Sequence, residues 1–228
     1  MIIMKLLWDV YFKLTSKFKL RNLRYQYDDI LQYLKLAGVN VTDEKRFYNS
    51  KNSKKATVLL RHDVDRRLDT ISLIRQIEKK NKVTSTLHIR AKGRTYDLNE
   101  LKRMNLSGFD IALHLESSEL DDIKRDKMAL EKAVKRKIIG ASIHGGYYSG
   151  KDITKEKILN NLKKAGFKYI TYYNEKDQPV KENGMLLIPY VISDLEIVQR
   201  GYKRFMKRLE NIIEKGACTS LNTHPEYF

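Results

Sequence analysis

From residue 57 onward, the sequence alternates between short apolar runs and longer polar stretches that have helical periodicity. Helix candidates lie between most of the runs, at 66–80, 97–106, 118–137, 152–165 and 202–215. Strands that alternate with helices predict βα units around a parallel sheet, and a long succession of them favours an α/β barrel over an open sheet. The seven strand candidates span 57–60, 83–89, 109–113, 139–143, 168–173, 186–190 and 218–222.

The first 56 residues lack this alternation and predict an N-terminal accessory segment, followed by a barrel domain at 57–228. Within it, 23–37 have the spacing of an amphipathic helix that ends at Gly38, 39–41 favour a short strand, and 42–56 are polar and lysine-rich, typical of a loop. A second polar stretch, 174–185, also predicts a loop, so we expect the barrel to be irregular there.

The extreme N-terminus has apolar residues at helical spacing between Lys5 and Lys13. This pattern is typical of an accessory helix packed on the domain or of an interfacial helix on anionic lipid. It has neither a leading basic region nor a small-residue cleavage site, so we expect a cytoplasmic protein. A single cysteine, Cys218, excludes an internal disulfide within this chain and favours a reducing compartment.

The charge balance is strongly basic, with 45 Lys and Arg against 28 Asp and Glu and a formal net charge of +17. Such a balance predicts attraction to polyanions, among them nucleic acid, acidic glycans and an anionic membrane surface. The cations are spread along the chain, which a solvated lysine-rich surface explains equally well. Because no nucleic-acid-binding module is recognisable, nucleic acid is the least favoured of these partners.

Two carboxylates and a histidine follow the first apolar run in Arg61-His62-Asp63-Val64-Asp65. Carboxylates two residues apart are costly to bury unless a metal, a cation or a shared proton compensates their charge. Asp residues that cap the next helix at a solvated strand end are the structural alternative.

All five histidines lie at the carboxyl ends of predicted strands. In a parallel barrel these ends meet at one rim, where active sites of such folds are built. We therefore expect the histidines to gather there with the two carboxylates. The five are His62, His88, His114, His144 and His224.

Asp and His side chains around a divalent metal create a Lewis acid that polarises a carbonyl and acidifies water. A carboxylate that does not bind the metal could take a proton from water, and a histidine across the site could protonate the leaving group. The sequence contains no GxSxG, GxxxxGK[ST] or GxGxxG motif. The rim therefore favours metal-assisted hydrolysis of an amide or ester.

The same residues resemble the motifs of the polysaccharide deacetylases, carbohydrate esterase family four, over roughly residues 57 to 228. RHDVD at 61–65 resembles the first motif in the branch that carries Asp-x-Asp. GFDIALH at 108–114 is similar to the second motif, and LNTHPEYF at 221–228 to the closing one. The resemblance implies a distorted (β/α)7 barrel that removes acetyl groups from sugars with a divalent metal, most often zinc.

Carried over residue by residue, the resemblance makes Asp63 the general base and His224 the general acid. It makes Asp65 and His114 metal ligands. SIHGGYYSG at 142–150 takes the place of the third motif and would put His144 and Tyr147 on the substrate wall, and Asp194 falls where the fourth motif has a supporting acid. Three further residues, Arg61, His62 and His88, would support the site or bind substrate. The cation of Arg61 would lower the pKa of both carboxyl groups.

The chain departs from the family at Ser118, where the second motif usually carries a second metal-binding histidine. Catalytic zinc ordinarily needs three protein ligands. Either another rim residue supplies the third, with His144 our first choice and Glu116 our second, or the metal binds weakly, or the barrel no longer hydrolyses. We expect a carbohydrate deacetylase that contacts sugar substrate, including anionic glycan, and the membrane face. The alternative is a silent barrel that binds carbohydrate or a glycan-assembly partner.

Overall fold

A computed structural model of the protein describes residues 23–50, 56–91, 97–144, 155–173 and 178–225. Seven parallel strands form a closed ring in which the last strand pairs with the first, as the alternating sequence predicts. In ring order they are β2 (Thr57–Val64), β3 (Thr86–Ile89), β4 (Asp110–Leu115), β5 (Gly140–Ile143), β6 (Tyr169–Tyr173), β8 (Met185–Ser193) and β9 (Cys218–Thr223). The predicted distorted (β/α)7 barrel is therefore confirmed.

Helices surround this ring and pack their apolar faces against its outer surface. Five of them correspond to the five helix candidates between the strands: α3 (Ile71–Asn81), α4 (Leu98–Leu101), α5 (Leu120–Val134), α6 (Lys155–Lys164) and α8 (Tyr202–Glu214). The short helix α7 (Leu195–Arg200) was not predicted. Among the described residues, no helix is both long and apolar enough to cross a membrane.

The segment before the barrel is joined closely to it. The helix α1 (Leu23–Leu36) buries Ile30 and Leu34 in the main core, and β1 (Asn40–Thr42) pairs in parallel with the start of β2. The predicted loop at 42–56 is wrong in part, because Glu44–Asn49 form a helix, α2. The Asp43 side chain caps α2 by accepting a hydrogen bond from the backbone N–H of Arg46 at 2.8 Å.

The predicted loop at 174–185 is also wrong in part. A short strand, β7 (Val180–Glu182), pairs antiparallel with the beginning of β8. Asn183 and Gly184 make the turn with φ of 51° and 77°. This left-handed conformation favours glycine and asparagine. Residues 174–177 lie outside the described residues.

Alternation along the strands separates two environments. In β2, Val58, Leu60 and Val64 belong to the core between the ring and the helices, whereas Leu59 belongs to a small cluster inside the ring. Successive side chains of a strand point to opposite faces, so Arg61 and Asp63 lie inside with Leu59. The interior is thus apolar near the amino ends of the strands and polar toward their carboxyl ends.

Tyr169 fills the interior near the amino ends. It crosses β5 so closely that a Cβ atom on Gly140 would lie 2.1 Å from its Cζ atom, which explains the glycine at this position. Its hydroxyl donates a hydrogen bond of 2.6 Å to Oδ2 of Asp110. Burial is the largest influence on Asp110 and raises the pKa of its carboxyl group to about 6, with the neighbouring Asp43 and Glu44 acting in the same direction.

Asp110→Asn is expected to stabilise the protein at neutral pH. A carboxyl group whose pKa is higher in the folded state than in the unfolded state destabilises the fold once pH exceeds the unfolded value. The gain should therefore be small near about pH 4, grow toward about pH 6 and then level off at roughly 3 kcal/mol. Urea unfolding of both proteins across this pH range would measure it.

Asp121→Asn provides the matched control, because Asp121 is exposed on α5. The same chemical change there should give no comparable gain at neutral pH. A pH-independent difference between Asp110→Asn and the parent protein would contradict the assigned titration of Asp110.

Candidate metal and acid–base site

The first element of the site is an ion pair inside the ring. The guanidinium of Arg61 donates two hydrogen bonds to Asp63, from Nε at 2.7 Å and from Nη2 at 2.8 Å. Asn222 of β9 donates a third from Nδ2 at 2.9 Å. Both members of the pair are almost fully buried, with 1% of Arg61 and 4% of Asp63 exposed. The carboxylate of Asp63 is therefore fixed in orientation.

The second element consists of Asp65, His114 and His144, which arrive from β2, β4 and β5. One ligand atom from each lies within 4.8 Å of the others. The Nε2 atom of His114 is 3.6 Å from Oδ1 of Asp65, and Nε2 of His144 is 3.7 Å from Oδ2 of the same carboxylate. Of the two third-ligand candidates, His144 belongs to this group.

These residues fit a divalent metal by their donor chemistry. Oδ1 of Asp65 is buried and receives no hydrogen bond from the described residues. His114 uses Nδ1 for a 2.7 Å hydrogen bond with Oγ of Ser142, so Nε2 is the nitrogen that faces the carboxylates. Fixing one ring nitrogen in this way orients the other as a metal ligand.

The two carboxyl groups differ in acidity. Burial is the largest single influence and would raise the pKa of Asp63, but the charge and hydrogen bonds of Arg61, together with His114 and His88, outweigh it, and the pKa lies well below its usual range. Burial raises the pKa of Asp65, and the negative charge of Asp63 raises it further. The expectation that Arg61 lowers both is therefore wrong for Asp65, which does not contact the guanidinium. Burial also lowers the pKa of His114, which favours a neutral imidazole.

The third element lies at the end of β9, the neighbour of β2 in the ring. The Nδ1 atom of His224 is 2.8 Å from Oδ1 of Asp194, and its backbone N–H donates to Oδ2 at 2.6 Å. Asp194 is 1% exposed and comes directly after β8. A buried carboxylate at Nδ1 orients the ring so that Nε2 can exchange a proton with a bound molecule. The charge of His224 acts to lower the pKa of Asp65, so the third element interacts with the second.

His88 lies inside the ring below His114, and the centroids of their rings are 6.4 Å apart. Its Nε2 atom is 2.9 Å from Oε2 of Glu44, and neither side chain is exposed. His88 also forms a compact group with Asp63 and His114, with ligand atoms within 4.8 Å of one another. The structure thus places a histidine and a carboxylate directly behind the Asp63 carboxylate.

His62 does not face the rim. It alternates with Arg61 and Asp63 along β2 and therefore points outward, toward α1 and α3. Its Nε2 atom is 2.8 Å from Oε1 of Glu78, which also accepts a hydrogen bond from Tyr27 at 2.8 Å. The expectation that all five histidines converge is wrong for this residue, because β2 extends four residues beyond the predicted run.

Two charged residues complete the rim near the metal candidates. Arg90 contacts Oε1 of Glu116 through Nε, and its Nη1 atom is 3.9 Å from Oδ1 of Asp65. Glu116 is also 3.4 Å from Nδ1 of His144. Ser118 lies in the connection between β4 and α5, where its carbonyl oxygen accepts a hydrogen bond of 2.9 Å from Nδ2 of Asn161. Tyr147 lies outside the described residues.

Sequence analysis missed four residues that contact this site: Glu44, Arg90, Ser142 and Asn222. Three had a usable signal, since each lies two positions from a predicted histidine at a strand end, the spacing at which strand side chains share a face: Arg90 after His88, Ser142 before His144 and Asn222 before His224. Glu44 had none, because it comes from the segment predicted as a loop.

Comparison with solved structures supports the same architecture. A protein from Bordetella bronchiseptica, assigned as a polysaccharide deacetylase involved in O-antigen biosynthesis, superposes with a TM-score of 0.57. The match has 14% sequence identity and covers 82% of this chain and 78% of that one. The chain has the fold of the polysaccharide deacetylases. At this level of identity, the likeness concerns the fold and not the activity.

Two other similar structures match this chain at lower TM-scores. IcaB from Ammonifex degensii has a TM-score of 0.52 and 15% identity, over 65% of this chain and 75% of that one. A family-four pseudoenzyme from Bacillus anthracis has the same TM-score and identity, over 75% of this chain, and the match spans only 55% of the pseudoenzyme. The sequence itself matches no family model and no curated protein.

Proposed function

We propose that this protein is a metal-dependent hydrolase that removes an acetyl group from an amino sugar, a glycan or a sugar precursor. The observation that carries the proposal is the compact group of Asp65, His114 and His144 beside the fixed carboxylate of Asp63. Two histidines and a carboxylate leave one position open in a tetrahedral metal site, and this donor set suits zinc. In this assignment His144 substitutes for the histidine that the family motif would place at Ser118.

A divalent metal held there would polarise the acetyl carbonyl and acidify water. Asp63 would accept a proton from the attacking water, while Arg61 and Asn222 hold the carboxylate in position. The water oxygen bonds to the carbonyl carbon and the bond from that carbon to the sugar nitrogen breaks. His224, oriented by Asp194, would donate a proton to the departing nitrogen, which gives acetate and a free amine.

A catalytically silent barrel that binds carbohydrate is the second candidate. The guanidinium of Arg90 is 3.9 Å from Asp65 and could balance its charge without a metal. The pseudoenzyme among the similar structures, of which a mutant is described as having restored activity, is consistent with loss of hydrolysis on this fold. Cytoplasmic localisation stays a prediction.

The test is metal content together with acetate release. Protein purified without a chelator or histidine tag should hold nearly stoichiometric metal and release acetate from acetylated amino sugars. Asp65→Ala should lose both properties. Asp69→Ala is the matched control, because Asp69 is an exposed carboxylate four residues further along the chain, and it should retain both. Absence of metal after reconstitution with zinc, cobalt, nickel or manganese would overturn the hydrolase in favour of the silent barrel.

A further inference from the structure

The end of the barrel opposite the candidate site carries a concentration of positive charge. In a parallel βα barrel, each helix runs back from the carboxyl end of one strand to the amino end of the next, so the helix C-termini share one face. Lys79 and Lys82 lie at the end of α3, Lys135 and Lys137 at the end of α5, and Lys163 and Lys164 at the end of α6. All six side chains are exposed. We call this surface the basal face.

Helix stability explains only part of this pattern. Lysines in a last turn favour the helix because they oppose its negative end. However, Lys82 and Lys135 lie just beyond their helices in the left-handed conformation, with φ of 58° and 53°. Glycine adopts this conformation at lower cost, and the chain uses it beyond α6, at Gly166. Lysine at these two positions therefore points to a role beyond helix termination.

Within the part of the chain that the structure describes, no ion pairs neutralise the six lysine charges of the basal face. Their mutual repulsion extends to Lys127, which is largely buried behind them. Burial is the main cause that lowers the pKa of Lys127, and the positive charges of Lys137 and Lys168 lower it further.

A cavity of about 320 Å³ opens on the same face between α2 and the end of α5. Four cations line it, namely Lys45, Arg46, Arg136 and Lys137. Asp43 and Asp110 line it as well. Asp43 pairs with Arg46, and two carboxylates against four cations leave an excess of two positive charges around the cavity. The cavity is therefore suited to an anionic group of small size.

We propose that the basal face docks on an anionic membrane surface, with a lipid phosphate headgroup in this cavity. The cations are spread around the end of a closed ring and do not follow a groove. This arrangement suits a flat surface that carries many phosphates, such as a membrane, better than a single extended polyanion strand. Leu36, at the end of α1 on the same side, is 88% exposed and follows the exposed Lys35. An apolar side chain and a cation would therefore both contact the lipid surface. Docking in this way turns the candidate site away from the lipid.

Vesicle binding tests the proposal. The full chain is mixed with phosphatidylcholine vesicles that do or do not contain about one quarter phosphatidylglycerol, and the bound fraction is measured by co-sedimentation. Binding should require phosphatidylglycerol and weaken as salt rises. Lys135→Glu/Lys137→Glu should lower partitioning by about tenfold or more, since each Lys or Arg near an anionic surface contributes separately. Lys79→Glu/Lys82→Glu, on another helix of the same face, should do the same.

Lys203→Glu/Lys207→Glu is the matched control. It changes the net charge by the same amount but lies on α8, at the side of the barrel, with both side chains exposed. It should retain binding within about twofold, as expected for charges away from the lipid surface. Equal loss in this control, no binding of the parent protein to the anionic vesicles, or tighter binding to a DNA duplex at the same salt concentration would overturn the proposal.

Discussion

Asp63→Asn is expected to lower kcat/KM for acetate release by roughly 10²–10⁴-fold, the usual contribution of a positioned general base. The amide cannot accept the proton of water, yet it retains the size of the carboxylate. Metal content should stay close to that of the parent protein, because the proposed ligands Asp65, His114 and His144 are unchanged. A loss confined to kcat, measured with stoichiometric metal, would assign Asp63 to proton transfer and not to metal binding.

This substitution also affects folding, and a second variant separates the two effects. Arg61 is fully buried and makes a bidentate contact with Asp63, so the single change leaves an uncompensated cation. Breaking a buried ion pair in this way costs about 3–5 kcal/mol of unfolding free energy. Arg61→Met/Asp63→Asn removes both charges and should recover part of that loss in a urea titration, while acetate release stays absent. Recovery of activity along with stability would show that Asp63 is structural.

The barrel could be predicted from the sequence because its signal is repeated. Each strand has only a few residues, but the alternation of apolar runs and helical stretches recurs seven times, and the chain can satisfy it only with parallel neighbours. The two segments predicted as loops were partly wrong for a different reason. The segment containing α2 and that containing β7 are short and polar, and tertiary contacts with the barrel decide their conformation.

The candidate site was predicted residue by residue only where strand ends carried histidine or aspartate. His62 shows the limit of that reasoning. Because β2 continues past its apolar run, residues 61–64 keep the alternation of a strand and His62 points outward. A register shift of one residue would reverse the direction of every side chain in a strand. Asp63 and His62 are neighbours, yet one lies beside Arg61 inside the ring and the other beside Glu78 outside it. Sequence analysis could name these residues but could not assign their faces.

The opposite pKa shifts of Asp63 and Asp65 could not be predicted from the sequence either. Asp63 and Asp65 are two residues apart and share a face, so spacing alone predicts similar surroundings. The geometry of a single guanidinium separates them, because Arg61 reaches both oxygens of Asp63. Burial and the charge of Asp63 raise the pKa of Asp65, and they outweigh the opposing charges of His144, His224 and Arg90. Two nearby carboxyl groups in such different surroundings can take two different roles.

His144→Ala is expected to weaken metal binding by more than about a hundredfold, because even residues that only support a metal ligand often contribute ten- to a hundredfold. The family motif would place a histidine at Ser118, and in this chain the group formed with Asp65 and His114 is completed from β5 instead. Titration of apoprotein with zinc against a chromophoric chelator would give the affinity without any need for a substrate.

Two controls give this measurement its meaning. His62→Gln removes a histidine that lies outside the ring and should leave metal affinity unchanged, whatever it does to stability. Glu116→Gln tests the other third-ligand candidate, since Glu116 is 3.4 Å from His144 and also contacts Arg90. If Glu116→Gln lost the metal while His144→Ala retained it, the third ligand would be Glu116. If neither lost it, Asp65 and His114 would hold the metal with water alone, and His144 would belong to the substrate wall.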